Sequence, residues 1–475
     1  MDTSASAGPS KRQKVVEEHN NDKNEDRISE LPENILHYLL SFLPTKYALG
    51  TSVLSKRWRF LWTSVHNLDM SDRLLYRTPR TFLKKKRAFI KFVDRVLCLN
   101  DVSSIQKVTL LCWECDVPRL NEWISKIVCR KVQELDLAIT FKDSYVYSHS
   151  LLTSESLKIL KIDSTDIIRR DVNEVSIHIP SWLCSYLKVL HLKDNAISGG
   201  QLMDEVSLSF PVLEEFVMEN CRWIEIKSVK ISAPKLQMLV VREMGERDLK
   251  LHDCVFKFYA ESVTSLKFKS YPSYKYYFHS LPVLVDVSMY VSVQDYTVNC
   301  VGTLFRQISN VKNLELSAEL TTILQQPDFS VHLFPLSNLT HMTVNGKTGG
   351  MPVSGKSLID LLSYMPSIES LRFPEGLDSF TFKGQGRIIG KTPQFFVSHL
   401  KSVEIRRFSG KENEQWFIKF LVKSAQPVNK LSIKIGIFDY VPGWSDEEKK
   451  EKLTIQLEML ARQSNPLVEF SVGYT

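Results

Sequence analysis

The chain has 475 residues, 43% of them hydrophobic and 24% charged, and a net charge of +7. That suits two or three globular domains with a large core, and so modest a charge does not by itself imply a polyanionic partner. No apolar run reaches the roughly 18 residues of a membrane span, and the first residues lack a secretory apolar core, so an intracellular protein of nucleus or cytoplasm, with no membrane partner, is expected. The eight cysteines follow no framework spacing. Several sit in apolar runs (Leu97-Cys98-Leu99, Trp182-Leu183-Cys184), which predicts buried free thiols in a reducing compartment.

Residues 1–25 are rich in Ser, Asn and charge and are expected to be a disordered tail. Within it Lys11, Arg12 and Lys14 follow Pro9 in the pattern of a short nuclear-import signal, or else form a solvated basic patch. Order begins near residue 26. Ser29 is placed to cap a helix whose first turn holds Pro32 and Glu33, with Leu31 as an early apolar contact. Ile35, Leu36, Leu39, Leu40 and Leu43 fall at helical spacing, and Pro44 ends the segment. A second helix is predicted over 46–53 and a third over 54–65. On the third, Leu54, Trp58, Leu61, Trp62 and Val65 share roughly 100° of arc, with Lys56, Arg57 and Arg59 off that stripe. Val53 and Phe60 fall on yet another side. A helix apolar on two faces needs a second burial surface, from the rest of the chain or from a partner.

The stretch LPENILHYLLSFLPTKYALGTSVLSKRWRFLW resembles the F-box family as written in plants, and residues 26–72 are assigned to it. The resemblance implies docking on the Skp-family linker of a cullin–RING ubiquitin ligase. Leu31, Pro32, Ile35, Leu36, Leu39, Leu43 and Pro44 fall at the motif's contact and core positions. So do Val53, Leu54, Ser55, Trp58 and Trp62, and Phe60 joins them through the second apolar face. Two departures stand out: Tyr47 occupies a position where an acidic residue is common, and Gly50 weakens its helix by about 1 kcal/mol against alanine.

Residues 73–103 read as a helical linker. Lys84, Lys85, Lys86 and Arg87 form a basic knot, read as a solvated face rather than a phosphate or acidic-partner contact. An amphipathic helix follows, with Phe89, Phe92, Val93, Val96 and Leu97 on its apolar side.

From residue 104 the chain repeats. The pattern x-L-x-x-L-x-L, with any apolar residue at L, starts at Ile105, Val132, Leu157, Leu187, Leu213, Leu236, Val263, Leu284, Val311, Leu339, Ile368, Leu400, Val428 and Leu467. The spacing averages roughly 28 residues, with helix-like runs such as NEWISKIVCR and SLIDLLSYM between copies, which is the leucine-rich-repeat signature. Each unit leaves an apolar face bare that only stacking buries. Asn195 alone supplies the asparagine of the standard repeat, which predicts an irregular solenoid. The repeats also resemble those of plant F-box/FBD/leucine-rich-repeat proteins, and residues 391–475 are similar to the FBD module. In that module Trp416, Phe417, Phe420 and Leu421 form a helix's buried face, with Glu414 in its first turn. The expected fold is therefore α+β: a three-helix F-box, then an irregular α/β solenoid (a leucine-rich-repeat horseshoe) over 104–390, ending in the FBD module.

Other motifs carry less. GMPVSGKS, residues 350–357, fits the P-loop spacing, with Lys356 toward phosphate and Ser357 toward magnesium. Yet strand–loop–helix is what every repeat supplies, and the Walker-B-like Asp439 falls in the FBD stretch. The CWEC of Cys112 and Cys115 is half a zinc site at most and reads as structural. No catalytic residue, metal site or cofactor is expected. The resemblance implies a substrate receptor that binds a Skp-family linker through the F-box and a protein client through the repeats. The competing class is a repeat scaffold, or a nucleic-acid-associated protein, working outside a ligase. A single sequence marks no client-binding residue.

Overall fold

The computed structural model describes residues 28, 30–72, 82–141, 145–146, 151, 154–164, 175–178, 185–243, 254–270, 274–291, 301–302, 304–305, 307–323, 335–346, 353–382, 399–408, 410–424, 431–437, 451, 454–459 and 468–474. The tail and its Lys11, Arg12 and Lys14 lie outside the described residues, as do Ser29, Cys184 and Asp439.

A parallel sheet of fifteen strands runs through the molecule, each strand hydrogen-bonded to the next in chain order along it. Its second strand is Lys107–Cys115 and its last is Val468–Tyr474. For the first twelve copies of the repeat pattern, the strand begins two residues after the first apolar position: Glu134 follows Val132, Glu215 follows Leu213, Ser402 follows Leu400. Those first apolar residues are all buried. They plug the turn entering each strand, while alternate strand residues such as Leu190 and Leu192 fill the core. The final two pattern starts, 428 and 467, lie outside the described residues.

The returns differ along the chain. Helix α4, Val117–Cys129, carries the first return, burying Leu120, Trp123, Ile124 and Ile127. Trp123 Nε1 donates to Asp94 Oδ1 at 2.8 Å. Through the middle of the solenoid the expected helices are absent among the described residues and strands replace them. Val206–Ser209, Ser228–Ser232, Val255–Tyr259 and Lys275–His279 form a second, four-stranded parallel sheet. Leu208, Ile231, Phe258 and Phe278 stand in register across it, and Val229, Phe256 and Tyr276 make a second column. Buried residues alternate with more exposed ones in these segments, and apart from Leu208 the buried ones are β-branched or aromatic, which is strand chemistry, not helix chemistry. Their rings stack: Phe256 on Tyr276 at 5.0 Å and Phe258 on Phe278 at 5.3 Å. Toward the C-terminus helical returns resume with Gly355–Leu362 and Glu412–Ser424.

Asn195 does what the repeat asks of it. Buried, its Nδ2 donates to the carbonyls of Ile162 (3.0 Å) and Lys193 (2.8 Å), and its Oδ1 accepts from Ser164 Oγ at 2.8 Å. In the next repeat Cys221 holds the same corner, its thiol donating to the Leu192 carbonyl at 3.4 Å, a substitution the sequence reading passed over. Burial pushes that thiol up to about 12, so it stays a neutral donor. The turns just before these two corners are left-handed, with φ of 54° at Asp194 and 50° at Asn220, residue types that tolerate this region. Asn195→Ala removes three buried hydrogen bonds, although the Lys193 carbonyl keeps the Ser164 N–H at 3.0 Å, and is expected to cost about 2–3 kcal/mol in urea unfolding.

The C-terminal part follows the expected strand–loop–helix–strand order: Ser402–Phe408, Glu412–Ser424, Leu431–Ile437. Phe417, Phe420 and Leu421 are fully buried, and Trp416, partly buried, stacks on Phe382 at 5.3 Å. Buried Glu414 accepts the Lys411 backbone N–H at 3.0 Å, closing the helix's first turn.

Residues 350–352 of the nucleotide motif lie outside the described residues, and of the rest Ser354 and Lys356 are exposed while Val353, Gly355 and Ser357 are buried. A Cβ on Gly355 would sit 2.0 Å from the Phe382 ring, so that ring closes the helix start. Ser357 is fully buried. Cys112 and Cys115 are buried at an irregularity of the second strand. Their mutual hydrogen bond and burial hold the Cys112 thiol far above the ordinary range. Among the described residues no group of three His, Cys, Asp or Glu side chains could hold a metal, and no helix is long and apolar enough to cross a membrane. Two cysteines depart from the expected burial, Cys98 and Cys129; Cys98 is exposed because it falls off the stripe of the helix Phe82–Leu99 on which Phe89, Val93, Val96 and Leu97 are buried.

Candidate functional site

The segment before the solenoid is built on helix α1, Glu33–Ser41, and helix α2, Thr45–Gly50, continued by a 3-10 turn over Thr51–Val53. Pro32, not Ser29, stands at the α1 N-cap. The expected third helix over 54–65 is replaced by turns and a short 3-10 helix, Leu61–Ser64. Local hydrogen bonding explains the break. Thr63 Oγ1 donates to the Phe60 carbonyl at 2.7 Å, and the Asp101 carboxylate takes Thr63 (3.3 Å) and Ser64 (3.2 Å) hydroxyls. The stripe survives only in part: Trp58, Leu61, Trp62 and Val65 are buried, whereas Leu54 is 64% exposed.

Burial sorts the candidate residues into two sets. Leu36, Trp58 and Trp62 lie in the core, joined by Leu40, Ala48 and Leu61. Leu31 packs partly against that core, and its carbonyl accepts from Arg57 Nη2 at 2.6 Å. The Ser55 hydroxyl is covered and meets no partner among the described residues. The other candidates face solvent: Ile35, Leu39, Leu43, Val53, Leu54 and Phe60, with Pro32 and Pro44 beside them. Tyr38, Phe42 and Tyr47, which the sequence reading did not select, enlarge the same exposed apolar set. Val53 is 85% exposed, Phe42 67% and Phe60 64%. Tyr38 and Phe42 pack edge to face at 4.8 Å, on positions one helical turn apart. So dense a set of exposed large apolar side chains marks an interaction surface. Of the cations, Arg59 lies over the Phe60 ring at 5.4 Å, and Arg57 is tied to the Leu31 carbonyl.

This segment is fused to the solenoid, a feature sequence reasoning missed. Asn67–Ser71 is the first strand of the long sheet, paired in parallel with residues 107–111. The alternation of Leu68 and Met70, both buried, was its one sequence signal. Side chains lock the joint. The Asp69 N–H donates to Thr45 Oγ1 at 2.8 Å and Asn100 Nδ2 to the Val65 carbonyl at 3.0 Å. Asp72 Oδ2 accepts the Trp113 N–H at 2.9 Å, while Lys86 Nζ donates to the Trp113 carbonyl at 2.9 Å. The basic knot thus gives one of its cations to structure.

Burial raises the Asp72 carboxyl from the ordinary 3.8 to about 6. A raised acid binds its proton more tightly in the folded state. Its stabilising contribution is full below about pH 4 and is lost as pH rises through about 6, a difference of about 2–3 kcal/mol. Asp72→Asn keeps an acceptor for Trp113. The variant is expected to match the parent near pH 4 and to melt higher at pH 7.5.

Comparison with known proteins agrees with this division. Residues 28–69 match the F-box domain, and residues 101–456 match the family described as At1g61320/AtMIF1, LRR domain. The F-box/LRR-repeat protein At4g14103 of Arabidopsis thaliana is 29% identical over 390 residues, covering 78% of this chain and 97% of that protein. The Arabidopsis F-box/LRR-repeat protein At3g59190 is 31% identical, covering 73% and 92%. The putative F-box/FBD/LRR-repeat protein At3g59240, also from Arabidopsis, is 29% identical, covering 73% of this chain and 68% of its own length. With an exposed apolar face mounted on a repeat solenoid, an LRR family model matched over residues 101–456 and a relative 31% identical over 73% of the chain, the chain belongs to the F-box/LRR-repeat family.

Proposed function

We propose that the chain is the substrate-receptor subunit of an SCF-type cullin–RING ubiquitin ligase. Its F-box docks a Skp-family linker, and its repeats hold a protein client. The carrying observation is the exposed apolar set of Ile35, Leu39, Val53 and Phe60, which lies over a core of Leu36, Trp58 and Trp62. The two sets have different duties: the buried one shapes the face, the exposed one meets the linker. The strand-paired joint at Asn67–Ser71 supports the same reading, because a receptor works by holding its client at a fixed place relative to the ubiquitin donor. Proximity is the whole mechanism; the chain supplies no catalytic residue and takes no cofactor. The C-terminal strand–helix–strand is read as an FBD module continuing the solenoid, and Lys11, Arg12 and Lys14 as an import signal for a protein of nucleus and cytoplasm.

The test is reconstitution. Purified full-length protein mixed with a Skp-family linker is expected to elute as a one-to-one complex and to recruit a cullin. Failure to capture the linker, with the protein folded by circular dichroism, favours the rival scaffold reading.

A further inference from the structure

On the face of the long sheet away from the core, several charged side chains meet a partner on the next strand. Lys193 meets Asp163 at 2.7 Å, His191 meets Glu215 at 2.7 Å, Arg242 meets Glu219 at 2.5 Å, and Arg372 meets Glu404 at 3.0 Å. Ser265–Ser270 presents Lys267 and Lys269, and neither meets a carboxylate among the described residues. Register explains why. Lys267 stands between Val240 and Ser288, and Lys269 between Arg242 and Tyr290, so no cross-strand neighbour supplies an acid. The nearest cation, Arg242, is already engaged by Glu219.

Beside these lysines the same face turns apolar. Val217 and Val240 continue the Lys267 row toward the F-box end, and Met238 lies in the row below. Val240 is 4% exposed although Leu239 and Val241 on either side point into the core, so it forms a floor rather than part of the core cluster. Val217 and Met238 are partly exposed. The strip thus joins an apolar floor to two lysines whose cross-strand neighbours carry no acid.

We propose that this strip is the client-recognition site, and that it takes an extended client segment with an apolar side chain followed by two or more carboxylates. The inference rests on the receptor reading of the repeats. The apolar residue would lie over Val217, Met238 and Val240, with the carboxylates over Lys267 and Lys269. Carboxylates are favoured over a phosphate because the fork that grips phosphate bidentately, Arg242, is occupied by Glu219, whereas two separate lysines suit separate single charges.

A peptide array tests this with the full-length protein. Twelve-residue peptides place Leu, Phe or Met beside one to four Asp or Glu residues. Matched sets carry Gln, Lys or a single phosphoserine in place of the acids. The acidic–apolar set is expected to bind at least tenfold above the Gln set and to weaken as salt rises. Lys267→Glu with Lys269→Glu is expected to lower that signal at least tenfold. Lys230→Glu with Lys275→Glu, the same charge change on the second sheet, leaves it unchanged. Absence of acidic–apolar binding overturns the proposal, as does a phosphoserine-only signal or equal binding by the Lys267/Lys269 variant. Linker capture is measured on the same preparations. Lost capture with retained peptide binding counts against the ligase reading alone; retained capture with no peptide binding counts against this site alone.

Discussion

Val53→Asp combined with Phe60→Asp is expected to weaken binding of a Skp-family linker at least about 100-fold, with almost no change in the stability of the free chain. Both side chains are mostly in water, 85% and 64% exposed, so the fold does not depend on their burial. Substitutions at such places usually change stability by no more than about 0.5 kcal/mol. In a complex each apolar side chain contributes about 1.5–3 kcal/mol when fully buried, and the aspartate replacing it must lose water as well. Two such losses together reach about 3–6 kcal/mol, where 1.4 kcal/mol is a factor of ten. Trp58→Ala is the contrasting variant. Trp58 is buried, so its loss is expected to cost about 3–5 kcal/mol of stability and to reduce linker binding only by deforming the face. Calorimetric titration alongside urea unfolding separates the two behaviours.

The second large effect is expected deep in the solenoid. Phe256 is fully buried, stacked on Tyr276 at 5.0 Å and met edge-on by Trp223 at 5.2 Å and Tyr274 at 5.4 Å. Phe256→Ala removes the ring on which these three converge and leaves a cavity that a stacked sheet cannot close, for an expected loss of about 3–5 kcal/mol. Because each repeat contacts only its neighbours, the damage should be local. Amide exchange is expected to accelerate in Ser228–Ser232, Val255–Tyr259 and Lys275–His279 before it does in Glu412–Ser424. Uniform acceleration along the chain would show the solenoid to be one cooperative unit.

The long sheet was legible in sequence because a solenoid writes its register as a repeat. Leu187, Leu190 and Leu192 recur as Leu213, Phe216 and Met218, and each triplet places one strand. The returns were less legible. They were expected to be helical on the strength of NEWISKIVCR, but Val229-Lys-Ile231, Phe256-Lys-Phe258 and Tyr276-Tyr-Phe278 alternate with period two and fold as strands. That signal was present, in segments too short to compete with the repeat period. The helix over 54–65 failed for another reason. Its apolar residues have helical spacing, but Thr63, Ser64 and Asp101 offer the backbone other partners, and Asp101 is remote in sequence. Leu54 therefore leaves the stripe and joins the exposed face. For the candidate site, residue types were readable and their sorting was not. Nothing in the spacing separates Leu36, which is buried, from Ile35 or Leu39, which are exposed, until the strand Asn67–Ser71 anchors the segment to the sheet.

Amide hydrogen exchange of the full-length protein, with and without saturating Skp-family linker, tests the docking face most directly. Protection on binding is expected over residues 31–62, strongest across 35–43 and 51–60, with the strands of the long sheet beyond residue 130 unchanged. Tight binding with no protection in 31–62, or with protection centred on the long sheet instead, would contradict the account.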